Sequence, residues 1–176
     1  MKELETYSIS YKGLAVGEYS YDYNVGNSFF EVYKNQDIKD AKLAVSVVLN
    51  KKNTHIEISF DISGQLFLVC DRCMETFEND FETSQTIYVK FGEEYAEEDE
   101  NLYVLPEADN DIDLSQFINE LVVVNIPMRV VHPDDEDGNP TCKSDVLNYI
   151  NNIKNNGDTV VDPRWNELNK LKDGTS

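Results

Sequence analysis

The sequence predicts an α+β protein: a curved, mainly antiparallel sheet or partial barrel, with one packed helix and a helical C-terminal extension. Apolar and polar residues alternate strictly over residues 42–49 and 55–62, a period typical of antiparallel strands with one buried face. Apolar residues then recur at helical spacing from Leu114 to Val122, which indicates a helix packed on that sheet. The C-terminal part again has helical spacing, over residues 144–155.

The N-terminal half contains most of the predicted strands. Strands are expected at Leu4–Ser10 and Glu18–Tyr23, followed by a short helical turn at Asn27–Tyr33. The alternating segments form a hairpin through the turn Asn50–Asn53. The dipeptide Ser63-Gly64 predicts a further turn into a strand that ends at Val69, and the next strand covers 81–91.

The C-terminal half begins with an acidic stretch. Residues 93–113 contain ten acidic residues and no basic one, which predicts a solvated loop with a short strand at 102–105. Asp113 is the expected N-cap of the first helix, with Gln116 completing a capping box, and Pro127 ends that helix. A second helix is expected over 144–155, ended by Gly157.

The domain prediction is one domain over residues 1–156, with the acidic loop 93–113 inside it. A tail over 157–176 follows, with a short helix that begins at Asp162-Pro163. In this helix Trp165 offers an apolar contact for the protein body or for a partner.

The net charge of −19, from 34 acidic and 15 basic residues, constrains the partners. Affinity for nucleic acid comes largely from lysine and arginine side chains that neutralise phosphates, so this charge disfavours RNA, DNA and anionic membranes. The acidity either serves solubility or attracts a basic partner. The chain has no long apolar run or apolar N-terminal signal, and few cysteines, so we expect a reducing cytoplasm.

The segment Cys70-Asp71-Arg72-Cys73 carries the most specific chemistry in the sequence. Two cysteines at this spacing form half of a tetrahedral metal site or a redox pair. A redox pair of the thioredoxin type opens a helix. Here strand-like segments lie on both sides, which favours metal.

A second pair of candidate ligands, His132 and Cys142, flanks an acidic loop further along the chain. Together with Cys70 and Cys73 they make a Cys₃His set, which is a known zinc combination, and predict one structural Zn²⁺. The alternative is three ordinary cysteines and a surface histidine. No nucleophile, phosphate loop or triad pattern is present, so we expect no enzymatic activity.

The order of these motifs resembles the bacterial large ribosomal RNA subunit accumulation protein family, the YceD-like proteins. The resemblance rests on Leu68–Glu75 with its Cys-x-Arg-Cys element, on Ile112–Glu120, and on Ile126-Pro127-Met128. It covers roughly residues 5 to 155. Many relatives have more cysteines in the C-terminal segment, whereas here Cys142 is alone and His132 takes the role of a substitute ligand.

The resemblance implies a bacterial, cytoplasmic, non-enzymatic factor that supports accumulation of large-subunit rRNA and ribosome assembly. The charge then suggests contact with a basic ribosomal protein or a precursor of the large subunit, with Arg72 and Trp165 as contact residues. The alternatives are direct binding of rRNA through a patch of Arg72, Lys90 and Arg129, and a Cys-x-x-Cys thiol oxidoreductase. The sequence leaves open the direct partner, the oligomeric state and the role of the tail.

Overall fold

The structure is a computed structural model that describes residues 4–99 and 101–155. The chain divides after Val131 into two compact units. The first unit begins with a 3₁₀ turn at Leu4–Tyr7 and contains two α-helices, α1 (Asn27–Val32) and α2 (Leu114–Asn125). The described part of the second unit contains helix α3 (Ser144–Asn155).

The first unit is dominated by antiparallel strands. In chain order the described strands are β1 (Ser8–Ser10), β2 (Gly17–Gly26), β3 (Ile38–Lys51), β4 (Ile56–Val69), β5 (Thr76–Gly92), β6 (Ala96–Asp99), β7 (Leu102–Pro106) and β8 (Asp111–Asp113). Six of them form an open sheet in the order β2-β3-β4-β5-β7-β6, in which only β5 and β7 run parallel. Strands β1 and β8 form a separate pair. The α+β prediction is therefore confirmed, with a sheet that does not close into a barrel.

The core lies on one face of the sheet, as the alternating pattern predicts. The inward positions of β3 and β4 are almost fully buried: Leu43, Val45, Val47, Leu49, Ile56, Ile58, Phe60 and Ile62. Helix α2 covers this face with Leu114, Phe117, Ile118 and Val122. Burial of these side chains, at roughly 1.5–3 kcal/mol each, is the main stabilising contribution of the sheet–helix contact.

The start of α2 is fixed by its N-cap. The Asp113 carboxylate accepts hydrogen bonds from the Ser115 backbone N–H (2.8 Å) and hydroxyl (2.6 Å), which confirms Asp113 as the cap. The predicted capping box is wrong, because the Gln116 side chain donates to Glu120 instead. Tyr33 donates to the Ser115 hydroxyl at 2.8 Å, and burial raises the pKa of this tyrosine.

Three further expectations are corrected. Within Leu4–Ser10 only the last three residues form a strand, since the chain first makes the 3₁₀ turn. The acidic segment 93–113 contains three strands rather than one, because β7 pairs with β5, β6 with β7, and β8 with β1. Gly157, Asp162 and Trp165 lie outside the described residues. No helix in the described part of the chain is long and apolar enough to span a membrane.

The predicted turn at Ser63-Gly64 is also wrong. Strand β4 runs without interruption through both residues and pairs with β3 on one side and β5 on the other. Gly64 has φ +144°, and a Cβ atom there would lie 2.1 Å from the Lys42 carbonyl oxygen. Glycine is therefore required by a close approach between neighbouring strands.

We expect Gly64→Ala to lower the free energy of unfolding by at least about 2 kcal/mol, because overpacking and an unfavourable φ add together. Urea unfolding measures the change. Gly13→Ala is the matched control, since nothing lies within 4 Å of a Cβ atom at Gly13, and we expect it to stay within about 0.5 kcal/mol. Equal effects of the two substitutions would contradict this explanation.

Candidate metal centre

The Cys70–Cys73 segment forms a tight turn between β4 and β5. The backbone N–H of Cys70 donates to the Glu75 carbonyl (2.8 Å), and the N–H of Met74 donates to the Cys70 carbonyl (2.8 Å). Met74 has φ +60°, a left-handed conformation that tightens the turn. The next regular element after Cys73 is strand β5, so the predicted strand–turn–strand setting is confirmed, and it differs from the helix-opening setting of a thioredoxin-type pair.

Both sulfur atoms of this turn lie in a protected environment. Cys70 is fully buried and Cys73 is 9% exposed. The backbone N–H of Arg72 donates to the Cys70 sulfur at 3.4 Å. A backbone donor aimed at sulfur favours the thiolate, which is the form that binds metal ions.

Two hydrogen bonds tie this turn to the segment that follows α2. The Asp71 N–H donates to the Val130 carbonyl (2.7 Å), and the Val130 N–H donates to the Asp71 carboxylate (2.7 Å). Both partners belong to the first unit. The second of these hydrogen bonds is accepted by the Asp71 side chain and not by a backbone carbonyl, so it depends on the identity of residue 71.

In the second unit, His132 and Cys142 lie side by side. The Cys142 sulfur is 3.6 Å from the His132 Nδ1 atom, and Cys142 is 6% exposed. The residues between them form an ordered loop, with an antiparallel bridge between Asp134 and Pro140. The loop therefore brings His132 and Cys142 together as a ligand pair although they are ten residues apart in the sequence.

The loop is held together by the Asp135 carboxylate, which accepts the N–H groups of Asn139 (2.7 Å) and Asp137 (3.0 Å). Gly138 has φ +79° and allows the turn. The Thr141 hydroxyl donates to the Pro133 carbonyl at 2.6 Å. The backbone hydrogen bonds from Asn139 and Asp137 hold the pKa of the Asp135 carboxyl below its usual range.

Each unit brings one half of the predicted ligand set: Cys70 and Cys73 lie in the first unit, and His132 and Cys142 lie in the second. Zinc–ligand distances of about 2.0–2.3 Å in a tetrahedron place neighbouring ligand atoms about 3.5–3.8 Å apart. The separation of 3.6 Å between the Cys142 sulfur and the His132 Nδ1 atom matches this range. The donor set and its spacing are compatible with a zinc ion.

Other predicted site residues have different outcomes. Arg72 is half-buried, and Trp165 lies outside the described residues. The predicted RNA-binding patch of Arg72, Lys90 and Arg129 is wrong as one surface. Arg72 precedes the start of β5 and Lys90 lies near its end, about 14 strand residues or roughly 45 Å of strand away.

Two residues that support the site were not identified from the sequence. Asp71 is one of the two middle residues of the Cys-x-x-Cys motif, and a carboxylate in a turn is a natural acceptor for backbone N–H groups. Asp135 is one of the acidic residues of the loop between His132 and Cys142. Its position three residues before Gly138 is a turn signal that predicts the role the structure shows.

Comparison with known proteins gives one match. The family model described as "Large ribosomal RNA subunit accumulation protein YceD" matches residues 58–172, which is more than half of the chain and includes all four candidate ligands. No curated protein and no solved structure matches the chain.

The pKa of Asp135 gives a prediction for the loop that carries His132 and Cys142. The pKa of Asp135 in the folded loop lies below the value of about 3.9 for an aspartate in the unfolded chain. The ionised carboxylate therefore stabilises the folded loop fully above about pH 4, and this stabilisation is lost as the pH falls through the lowered pKa. Hydrogen exchange of the Asp137 and Asn139 amides, followed by NMR, should show protection that disappears over this acidic range.

Two substitutions of Asp135 control this prediction. Asp135→Asn keeps an oxygen acceptor and should retain protection without its pH dependence. Asp135→Ala should lose protection at every pH. Unchanged exchange in Asp135→Ala would show that other contacts hold the loop.

Proposed function

Because the chain belongs to the YceD family of large ribosomal RNA subunit accumulation proteins, we propose that it is a ribosome-biogenesis factor that contacts a basic ribosomal protein. The match over residues 58–172 is the observation that carries this proposal. Family membership supports a role in large-subunit rRNA accumulation. The basic protein partner goes beyond the family match, and we propose it because the chain has a net charge of −19. The role implies the cytoplasm of a bacterium and an activity without catalysis.

The charge of the exposed sheet face supports a basic protein partner. Strand register places acidic side chains on this face across all four long strands: Glu18, Asp22, Asp40, Glu57, Asp61, Glu78, Asp80 and Glu82. The exposed basic residues of the same strands are Lys39, Lys42 and Lys90. A surface with this balance repels phosphates and attracts lysine- and arginine-rich protein. Arg72 and Trp165 remain proposed contact residues.

A second part of the proposal is a structural zinc ion held by Cys70, Cys73, His132 and Cys142. Three thiolates and one imidazole form a closed tetrahedral set without an open position for chemistry, which favours a structural role. The backbone donor to Cys70, the Asp71–Val130 hydrogen bonds and the Asp135 loop each orient part of this set. The metal would add stability that the small loop over residues 132–142 does not obtain from a core of its own.

The biological proposal is tested by depletion of the protein from its host. We expect the ratio of large- to small-subunit rRNA to fall by at least about twofold, and expression of the wild-type chain to restore it. Pull-down with the purified protein from a lysate of its host should capture a basic ribosomal protein at low salt. Capture should weaken between about 0.05 M and about 0.3 M salt, because screening removes attraction between exposed charges. An unchanged rRNA ratio would refute the proposed role, and salt-insensitive capture would refute the charge argument.

The zinc proposal is tested by the metal content of protein purified without chelator. We expect about one zinc per chain, and at least about a fivefold loss in His132→Ala and Cys142→Ser, because each substitution removes a ligand. The chain offers a matched control in His55, the other histidine, which is bonded to Thr54 and Glu57 on the exposed sheet face. His55→Ala should keep its zinc. Equal metal loss in both histidine variants would point to nonspecific binding.

A further inference from the structure

Strand β2 lies at one edge of the six-stranded sheet, within the first unit. Its residues Gly17–Gly26 all pair with β3, and no other described strand pairs with it. The strand is about 33 Å long, so a row of N–H and C=O groups runs along its outer side. The Tyr7 hydroxyl reaches one of its carbonyls, Asn24, at 3.4 Å. An edge of this length is a template for another strand.

The two edges of the sheet differ in their protection. On the opposite side, β7 pairs only with residues 88–92 of β5, so the outer edge there consists of residues 76–87 of β5 and of strand β6. Strand β6 has four residues, and its register with β7 is shifted between Glu97 and Asp99. Short length and irregular pairing are features that prevent edge-to-edge association. Strand β2 has a continuous register of ten residues, without proline or lysine. This edge therefore lacks the short length, irregular pairing, proline and lysine that protect other edges, and the charged residues it carries are acidic.

The side chains of β2 indicate the charge of an added strand. Glu18 and Asp22 are exposed on the same face, about 13 Å apart. No ion pair among the described residues involves either carboxylate. The nearest cations on β3 point elsewhere. Lys51 donates to backbone carbonyls at 2.7 and 2.8 Å, and Lys42 lies 5.3 Å from the centre of the Phe67 ring.

We propose that the β2 edge binds an extended, lysine- and arginine-rich segment of a partner protein by strand addition. The inference rests on the proposed function, since it assigns a surface and a bound conformation to the basic partner. Backbone hydrogen bonds supply the affinity of such a complex, and Glu18 and Asp22 select positive side chains. Edge-to-edge pairing of two copies is disfavoured, because each chain carries a net charge of −19 and brings the same two carboxylates.

The direct test uses a blocked ten-residue peptide of alternating lysine and valine as the probe, with a glutamate–valine peptide as control. Hydrogen exchange by NMR should show about tenfold or greater slowing at every second amide of β2, because only outward N–H groups gain a partner. Amides already bonded to β3 should change little. Binding without this period-two pattern, or equal binding of the acidic peptide, would overturn the proposal.

Charge reversal provides a matched pair of variants. Glu18→Lys with Asp22→Lys should weaken binding of the basic peptide by at least about tenfold. Glu57→Lys with Asp61→Lys makes the same change in net charge on β4, which is paired with β3 on one side and β5 on the other, and should weaken binding by less than about threefold. Equal losses would show that net charge alone governs binding and would refute a site at β2. Self-association lost only in the β2 variant would identify a second copy as the occupant and also refute it.

A complementation experiment separates this inference from the proposed function. If the β2 variant fails to bind the peptide but fully restores the rRNA ratio in depleted cells, strand addition is refuted while the role in rRNA accumulation stands. If the β2 variant fails to restore it and the β4 variant succeeds, with equal urea unfolding of both, the inference is supported.

Discussion

The two hydrogen bonds between Asp71 and Val130 are the constraint on which the candidate metal centre depends. They hold the segment after α2 against the turn that carries Cys70 and Cys73. Val130 is thereby held at the turn although it lies 59 residues from Asp71 in the sequence. Folding of the first unit, with the sheet and α2 as its frame, meets the entropic cost of closing this long loop.

The regular part of the fold could be predicted because its signals are local and mutually consistent. The alternation over residues 42–62 and the Asp113 cap each specify one arrangement, and the structure contains both. Gly64 shows why a local signal fails. A serine–glycine pair is a turn signal, but the same glycine is required where β4 passes so close to β3 that a Cβ atom would lie 2.1 Å from the Lys42 carbonyl oxygen. Only the pairing of β3 with β4 separates these two roles of glycine.

The candidate metal centre could be predicted by residue type but not by geometry. Cysteine spacing indicates one half, and the position of His132 and Cys142 on either side of an acidic loop indicates the second. The ten-residue gap between His132 and Cys142 departs from usual zinc spacing, and only the Asp135 loop explains how it closes. The Asp71–Val130 contact joins residues 59 apart, which no periodic pattern encodes. Long-range pairing is a tertiary property, so it had to come from the structure.

An acidic protein in a family associated with rRNA calls for an electrostatic explanation. Direct phosphate contact would need clustered cations, whereas Arg72 lies before the start of β5 and Lys90 lies near the end of that strand. A basic protein partner removes this conflict, because its positive side chains are attracted to the acidic surface that repels phosphates. Strand addition at β2 would recognise a partner through hydrogen bonds to its backbone, which is alike in all proteins, and through the charge of its side chains. Such a site accepts many basic segments, so discrimination among them must come from the half-buried tyrosines Tyr19, Tyr21 and Tyr23 on the inner side of the same edge, or from a second contact elsewhere.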